Sequence, residues 1–307
     1  MRTIAAPLAR PLISARTRNL LGGYAYLIPA AICLGGTIVF PILKAIHMSL
    51  YNHVLIRPQE YGFIGLGNYG RLLQDDVFWL SLWNSSVWVF GSVVFQFLGG
   101  FAAALLLHQK FVGRAFVRTA SLIPWVIPGV VVALVWEWLY QPNYGVFNDI
   151  LLRVGWLKER VAWLSDPNLA MPAVIATNIW RGVPFFSIML LAGLQAIPDD
   201  LYEAARVDGA SVTERFWHVT LPLLRPIIVV ATATRIIWTF NYADLIFVMT
   251  SGGPANATQI TSTYTLLQAY SNLDFGYAAT LSVVLLLIML AFTIAYLRVT
   301  REIESAA

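Results

Sequence analysis

The run IPDDLYEAARVDGASVTERFWHVTLPLLRP, Ile197 to Pro226, is polar and amphipathic and lies between two apolar stretches; its reading decides how the chain is organised. Asp200 is followed three residues later by Glu203, and Ser211 by Glu214. Each pair has the spacing of a capping box, in which the first side chain accepts from a backbone N–H at the helix start and the second reaches back. The spacing predicts two short helices. Gly209, just past Asp208, fits the left-handed position that ends the first helix, and Pro222 and Pro226 mark the start of the next apolar segment. Ala204 and Ala205 leave one side of the first helix nearly bare, so another protein's surface could come close. A solvated loop between membrane helices would not need such specified geometry, but these residues alone leave both readings open.

The composition places that run in context. Of 307 residues, 58% are hydrophobic and only 12% are charged, and the mean hydropathy is +0.69. A soluble domain carries about a quarter charged residues, so the chain is expected to be an all-α integral membrane protein. Cys33 is the single cysteine, which excludes an intrachain disulfide and a thiolate metal cluster. No G-x-x-x-x-G-K-[ST] phosphate loop and no H-E-x-x-H occurs, and His47, His53, His108 and His218 are scattered. An enzyme reading therefore has little support, and neither a catalytic nor a metal site is expected.

Six apolar spans follow from the hydropathy pattern. Residues 1–23 carry four arginines and no acid, and read as a cytoplasmic tail. Residues 24–46 form the first span, long enough to cross a hydrocarbon core about 30 Å thick. Residues 47–82 read as an external segment, and residues 83–298 as a core of five spans that includes the loop at 197–226. Trp83 to Leu107 is the second span, in which Gly99 with Ala103 and Gly100 with Ala104 allow close helix approach. Phe116 to Tyr140 is the third, which Pro124 and Pro128 should bend or break. Gln141 to Met171 is external with a short helix near Asn148 to Val154. Pro172 to Leu194 is the fourth span, expected to be interrupted at Arg181 to Pro184. Ile227 to Met249 is the fifth, Ser251 to Phe275 a loop without Lys or Arg, and Gly276 to Arg298 the sixth, with 299–307 as a cytoplasmic tail. Twelve Lys and Arg residues fall on the side of the 197–226 loop and both termini, and six on the other, which puts the loop and the termini in the cytoplasm.

Glu203-Ala204-Ala205, three residues, Gly209, nine residues and then Val219-Thr220-Leu221-Pro222 resemble the EAA loop of permease subunits in binding-protein-dependent ABC importers. Where this chain has Val219, the family pattern usually has Ile. The resemblance extends over nearly the whole chain, through FIGLGNY (Phe63 to Tyr69), WRGVPFF (Trp180 to Phe186) and TSGGP (Thr250 to Pro254), and is greatest to the carbohydrate-uptake branch. It implies that the loop is a coupling helix that enters a groove of a cytoplasmic ATPase, with Leu201, Glu203, Ala204, Ala205, Asp208 and Gly209 as the coupling residues. It also implies a second permease subunit, an ATPase dimer that binds ATP and Mg²⁺, and a periplasmic substrate-binding protein, with lipid but no nucleic acid as further surroundings. The implied location is the bacterial inner membrane.

Four ionisable groups fall within spans: Glu137, Arg181, Arg235 and Asp244. A charge in hydrocarbon costs several kcal/mol, so each needs a partner or a wet cavity. Two cations and two anions could neutralise one another across helices. Alternatively, Arg235, Trp238, Thr239 and Tyr242, at i, i+3, i+4 and i+7, share one helix face. Aromatic rings covering C–H faces, with polar groups meeting hydroxyls, suit a sugar. In the family's maltose transporter the similar region before the GGP run contributes to the sugar site. With Arg181, these residues make a candidate substrate path. A neutral sugar does not need a guanidinium, so Arg235 raises the expectation of an anionic group on the substrate. The rival readings are a secondary transporter or channel without an ATPase, marked by inverted repeats and a self-sufficient ion site, and a polytopic membrane enzyme. Neither pattern is found.

Overall fold

The computed structural model describes residues 26–305, and the expected tail at 1–23 lies outside them. Among the described residues five helices are long and apolar enough to cross a membrane, and a bent helix pair supplies a sixth span. The first helix, α1 (Ile28–Ser49), contains a π-helical turn at Gly35–Val39 and packs chiefly along the last helix, α14 (Phe275–Ser305). Between α1 and the second span, β1 (Tyr51–Asn52) and β2 (Gly62–Phe63) form a small antiparallel hairpin with Tyr51 opposite Phe63. A short helix, α2 (Gly67–Leu73), follows.

The second span, α3 (Asp76–His108), begins well before the apolar run because Asp75 caps it, its side chain accepting from the amides of Val77 (2.9 Å) and Phe78 (3.3 Å). At 33 residues and 1.5 Å per residue it is about 50 Å long, and its outer turns stand clear of a hydrocarbon core. Its main partner is α8 (Ala170–Ala196). The small residues on α3 make that contact possible. A Cβ on Gly100 would collide with Phe186 and lie 2.9 Å from the Val183 carbonyl oxygen, and Ala104, Phe186 and Leu190 are fully buried at the same seam.

The third span breaks as its prolines predict. It comprises α4 (Arg114–Ala120), α5 (Ile123–Val126) and α6 (Gly129–Leu139), with a 90° bend before α6. Ile127 is extended, the conformation that a following proline imposes, and Pro128 starts the new direction. The fourth span departs from expectation. α8 runs through Arg181 to Pro184 without interruption. Pro184 removes one backbone donor, but it is buried, and its neighbours Phe185 and Phe186 belong to the packed core, so the helix continues past it. The short external helix is α7 (Val146–Arg153).

After α8 comes α9 (Asp199–Val207), then α10 (Val212–Arg215), a π-helical turn at Phe216–Thr220 and α11 (Leu221–Phe240). The second short helix is thus continuous with the fifth span, and neither Pro222 nor Pro226 stops it. The Leu221 amide reaches back five residues to Phe216, and this wider turn lies immediately before Pro222, which needs no amide partner. The fifth span ends at Asn241 and restarts as α12 (Asp244–Met249). The segment expected to be only a loop, 251–275, contains α13 (Thr261–Leu266) and a π-helical turn at Leu267–Ser271. It is pinned to α3: Asn84 donates to the carbonyls of Asn256 (3.0 Å) and Gln259 (3.1 Å), and Ser85 accepts from the Thr261 amide (2.9 Å).

Candidate functional site

The amphipathic loop and the polar stripe of the fifth span form two separate sites. In the loop, the Ser211 and Glu214 capping box is present, with the Ser211 amide donating to Glu214 (2.7 Å) and the Glu214 amide to Ser211 Oγ (3.3 Å). The first box is not. Pro198, extended, directly precedes Asp199, so α9 starts two residues earlier than an Asp200 cap would set it, without a side-chain cap. The helix ends at Gly209 with φ +81°. There the Ala210 amide donates to the Ala205 carbonyl (2.9 Å) and the Gly209 amide to that of Arg206 (3.1 Å), which is a Schellman termination.

One face of α9 is fixed and the other is bare. Tyr202 packs on the core and shares a 3.0 Å hydrogen bond with Thr220, and Ala205 is half-buried, while Leu201, Glu203, Ala204 and Asp208 are exposed. Among the described residues Glu203 forms an ion pair only with Arg206, at 3.4 Å. Val207, which sequence reasoning left out, is 88% exposed. Beside α9, against the end of α3 and the start of α10, lies a groove of about 820 Å³ lined by Lys110, Glu203, Arg206, Arg215 and Phe216 among others.

The second site is a cavity of about 210 Å³ lined by Trp125, Arg181, Arg235, Trp238, Thr239 and Tyr242. The four stripe residues and Arg181 thus face one space. Arg181 comes from α8, and Arg235, Trp238 and Thr239 from α11, while Tyr242 stands at the break between α11 and α12. Trp125 comes from α5, beside the bend of the third span. It was missed because its neighbours in the cavity are distant in sequence. The proline pair that flags a broken span was the available signal.

The polar groups here are not neutralised. No ion pair among the described residues includes Arg181, Arg235, Glu137 or Asp244. Asp244 is exposed in the first turn of α12, and Glu137 lines a different cleft with Tyr140, Thr250 and Gly253. The mutual neutralisation across helices that the sequence left open is therefore not formed among the described residues. Arg235 is only 4% exposed, and its Nε donates to Gln96 Oε1 at 2.7 Å. The Arg181 guanidinium lies 4.9 Å from the Tyr242 ring centre and that of Arg235 5.8 Å from the Phe185 ring. Arg181 Nε, Thr239 Oγ1 and the Tyr242 hydroxyl are buried with no hydrogen-bond partner among the described residues. Trp238 packs on Phe185 at 5.4 Å between ring centres. The cavity combines two guanidinium groups, unfilled hydroxyls and aromatic walls, a set that can hold an anion or an array of acceptors.

A family model described as the binding-protein-dependent transport system inner membrane component matches residues 96–305. The chain belongs to that family. This permease is 40% identical over 280 residues to the permease protein of a trehalose/maltose transport system from Thermococcus litoralis, covering 91% of this chain and 93% of that one. It is 38% identical over 275 residues to the permease protein of a sulfoquinovosyl glycerol transport system from Agrobacterium fabrum, covering 90% and 89%. Among solved structures it is similar to a chain of a bacterial ABC transporter involved in the import of the acidic polysaccharide alginate, with a TM-score of 0.80, 25% identity, and coverage of 93% of this chain and 96% of that one. The fold is that of an ABC permease, and the protein is a multi-pass membrane protein.

Proposed function

We propose that this chain is the permease subunit of an ATP-driven, binding-protein-dependent importer, and that its cargo is a sugar or glycoside bearing a sulfonate, carboxylate or phosphate. The carbohydrate part draws support from the relatives, whose names refer to trehalose/maltose and sulfoquinovosyl glycerol, and from the alginate importer. The anionic part rests on one observation: Arg181 and Arg235 face a single cavity, and among the described residues no carboxylate is paired to either. A buried cation without a counter-ion is costly, and a planar guanidinium that meets a carboxylate or sulfonate in the cavity relieves that cost with directional hydrogen bonds. Trp125, Trp238 and Tyr242 offer rings to the C–H faces of the sugar.

In this reading α9 is the coupling helix. Tyr202 ties it to the membrane core, so that a push on its exposed face by an ATPase is passed to the start of α11. ATP and Mg²⁺ are held by a partner ATPase dimer, a second permease chain closes the path, and a binding protein delivers cargo to the external face. The excess of Lys and Arg on that side supports a cytoplasmic position for α9 and the termini.

Uptake by the reconstituted transporter of a carboxylated glycoside and its neutral counterpart tests the proposal. Replacing Arg235 or Arg181 by Gln should lower anionic uptake at least about tenfold more than neutral uptake, the scale of one charge-assisted hydrogen bond. Equal effects on the two cargoes would remove the anionic assignment.

A further inference from the structure

Gln96 was assigned no role by its sequence, yet it is fully buried on α3 and is hydrogen-bonded at both ends of its amide. Its Oε1 accepts from Arg235 Nε at 2.7 Å, and its Nε2 donates to the Asn178 carbonyl of α8 at 2.7 Å. Gly182, one turn beyond Asn178, supplies the room. A Cβ there would overlap the Gln96 amide and lie 2.5 Å from Arg235 Nη2.

We infer that Gln96 is a positioning residue that decides the charge preference of the cavity: it fixes the Arg235 guanidinium by one edge without neutralising it. The claim rests on the cavity being the cargo site proposed above. With Nε engaged, the two Nη groups of Arg235 have no hydrogen-bond partner among the described residues, and Arg235 lines the cavity.

An amide is the side chain this position requires. A carboxylate would bind the guanidinium more strongly, but it would cancel the positive charge offered to cargo. It would also have no proton to donate to the Asn178 carbonyl. An aliphatic side chain of the same length would leave the guanidinium free to rotate and its Nε unpaired in a buried site. The neutral, two-ended hydrogen bonder both anchors Arg235 and preserves its charge. The arrangement joins three helices, α3, α8 and α11, at one point. Aim of the guanidinium is therefore tied to how those helices pack.

The test is equilibrium binding of methyl β-glucuronide and methyl β-glucoside, which differ only in the carboxylate, to the complete transporter in lipid nanodiscs. Wild type is expected to prefer the glucuronide. Gln96→Glu should weaken glucuronide binding at least about tenfold, and leave glucoside binding within about twofold. Gln96→Met, which keeps length and volume, should weaken the glucuronide in the same direction while the complex still assembles by size-exclusion chromatography. If both probes weaken together, Gln96 only packs, and if both variants keep the wild-type preference, Gln96 does not position Arg235; either result overturns the inference alone. A wild-type complex that binds the two probes equally, with Arg235→Gln also silent, removes the anionic reading and this inference with it.

Discussion

Replacing Gly182 by Ala adds one methyl group at the point where α3, α8 and α11 meet. On an isolated helix the change would stabilise by about 1 kcal/mol, because alanine is the better helix former. Here the new Cβ falls on the Gln96 amide and within 2.5 Å of Arg235 Nη2, so the amide and the guanidinium must separate. The loss is one hydrogen bond to a charged group, about 1.5–3 kcal/mol, and one neutral bond to the Asn178 carbonyl, about 1 kcal/mol. Set against the helix gain, the net destabilisation is about 1.5–3 kcal/mol. Thermal unfolding of the purified transporter, followed through this subunit, measures it. In a Gln96→Ala background the amide and its bonds are gone, and the end of the Arg235 side chain, no longer held at Nε, can withdraw into the space left; Gly182→Ala should then cost much less than in wild type, a coupling above the roughly 0.5 kcal/mol scatter of independent sites. Additive effects, or a Gly182→Ala protein as stable as wild type, would refute the packing argument.

Two further outcomes follow from local geometry. Gly209 has φ +81° with nothing within 4 Å of a Cβ placed there, so Gly209→Ala carries only a backbone cost of about 1–2 kcal/mol; hydrogen exchange at the end of α9 should quicken, and less so for Gly209→Asn, which tolerates the left-handed conformation. Burial alone would raise the pKa of Asp75, but the hydroxyls of Tyr264 (2.6 Å) and Tyr277 and the amides of Phe78 and Val77 hold it below the usual carboxylate range. A depressed folded-state pKa gives stability that is present above the ordinary carboxylate value near about 4 and is lost as pH falls through the folded value. The melting temperature of wild type should therefore drop on acidification below that range, and Asp75→Asn should flatten the drop while lowering stability at neutral pH.

Features set by neighbours in sequence were legible from it. The Ser211 and Glu214 box, the Gly209 stop, the bend at Pro128 and the shared face of Arg235, Trp238, Thr239 and Tyr242 all depend on residues a few positions apart. Features set across helices were not. Trp125, Gln96 and Gly182 reach the cavity region from α5, α3 and α8, and no local spacing relates them to α11. The readings that failed did so because a nearby or tertiary constraint was stronger. Pro198 fixed the start of α9 ahead of Asp200, and burial of Pro184 beside the packed Phe185 and Phe186 kept α8 continuous. The loop after α12 is ordered by Asn84 and Ser85 of α3, more than 170 positions away.

The central claim is that transport by this chain is driven through α9 by a separate ATPase. Uptake into proteoliposomes containing this permease, its partner permease and the binding protein, with the ATPase present or omitted, tests it most directly. The account predicts that uptake requires the ATPase and ATP, and that replacing Glu203 and Gly209 lowers uptake and cargo-stimulated hydrolysis while the complex still assembles. Cargo entry at the same rate without the ATPase would contradict it and would make the chain a secondary transporter or channel.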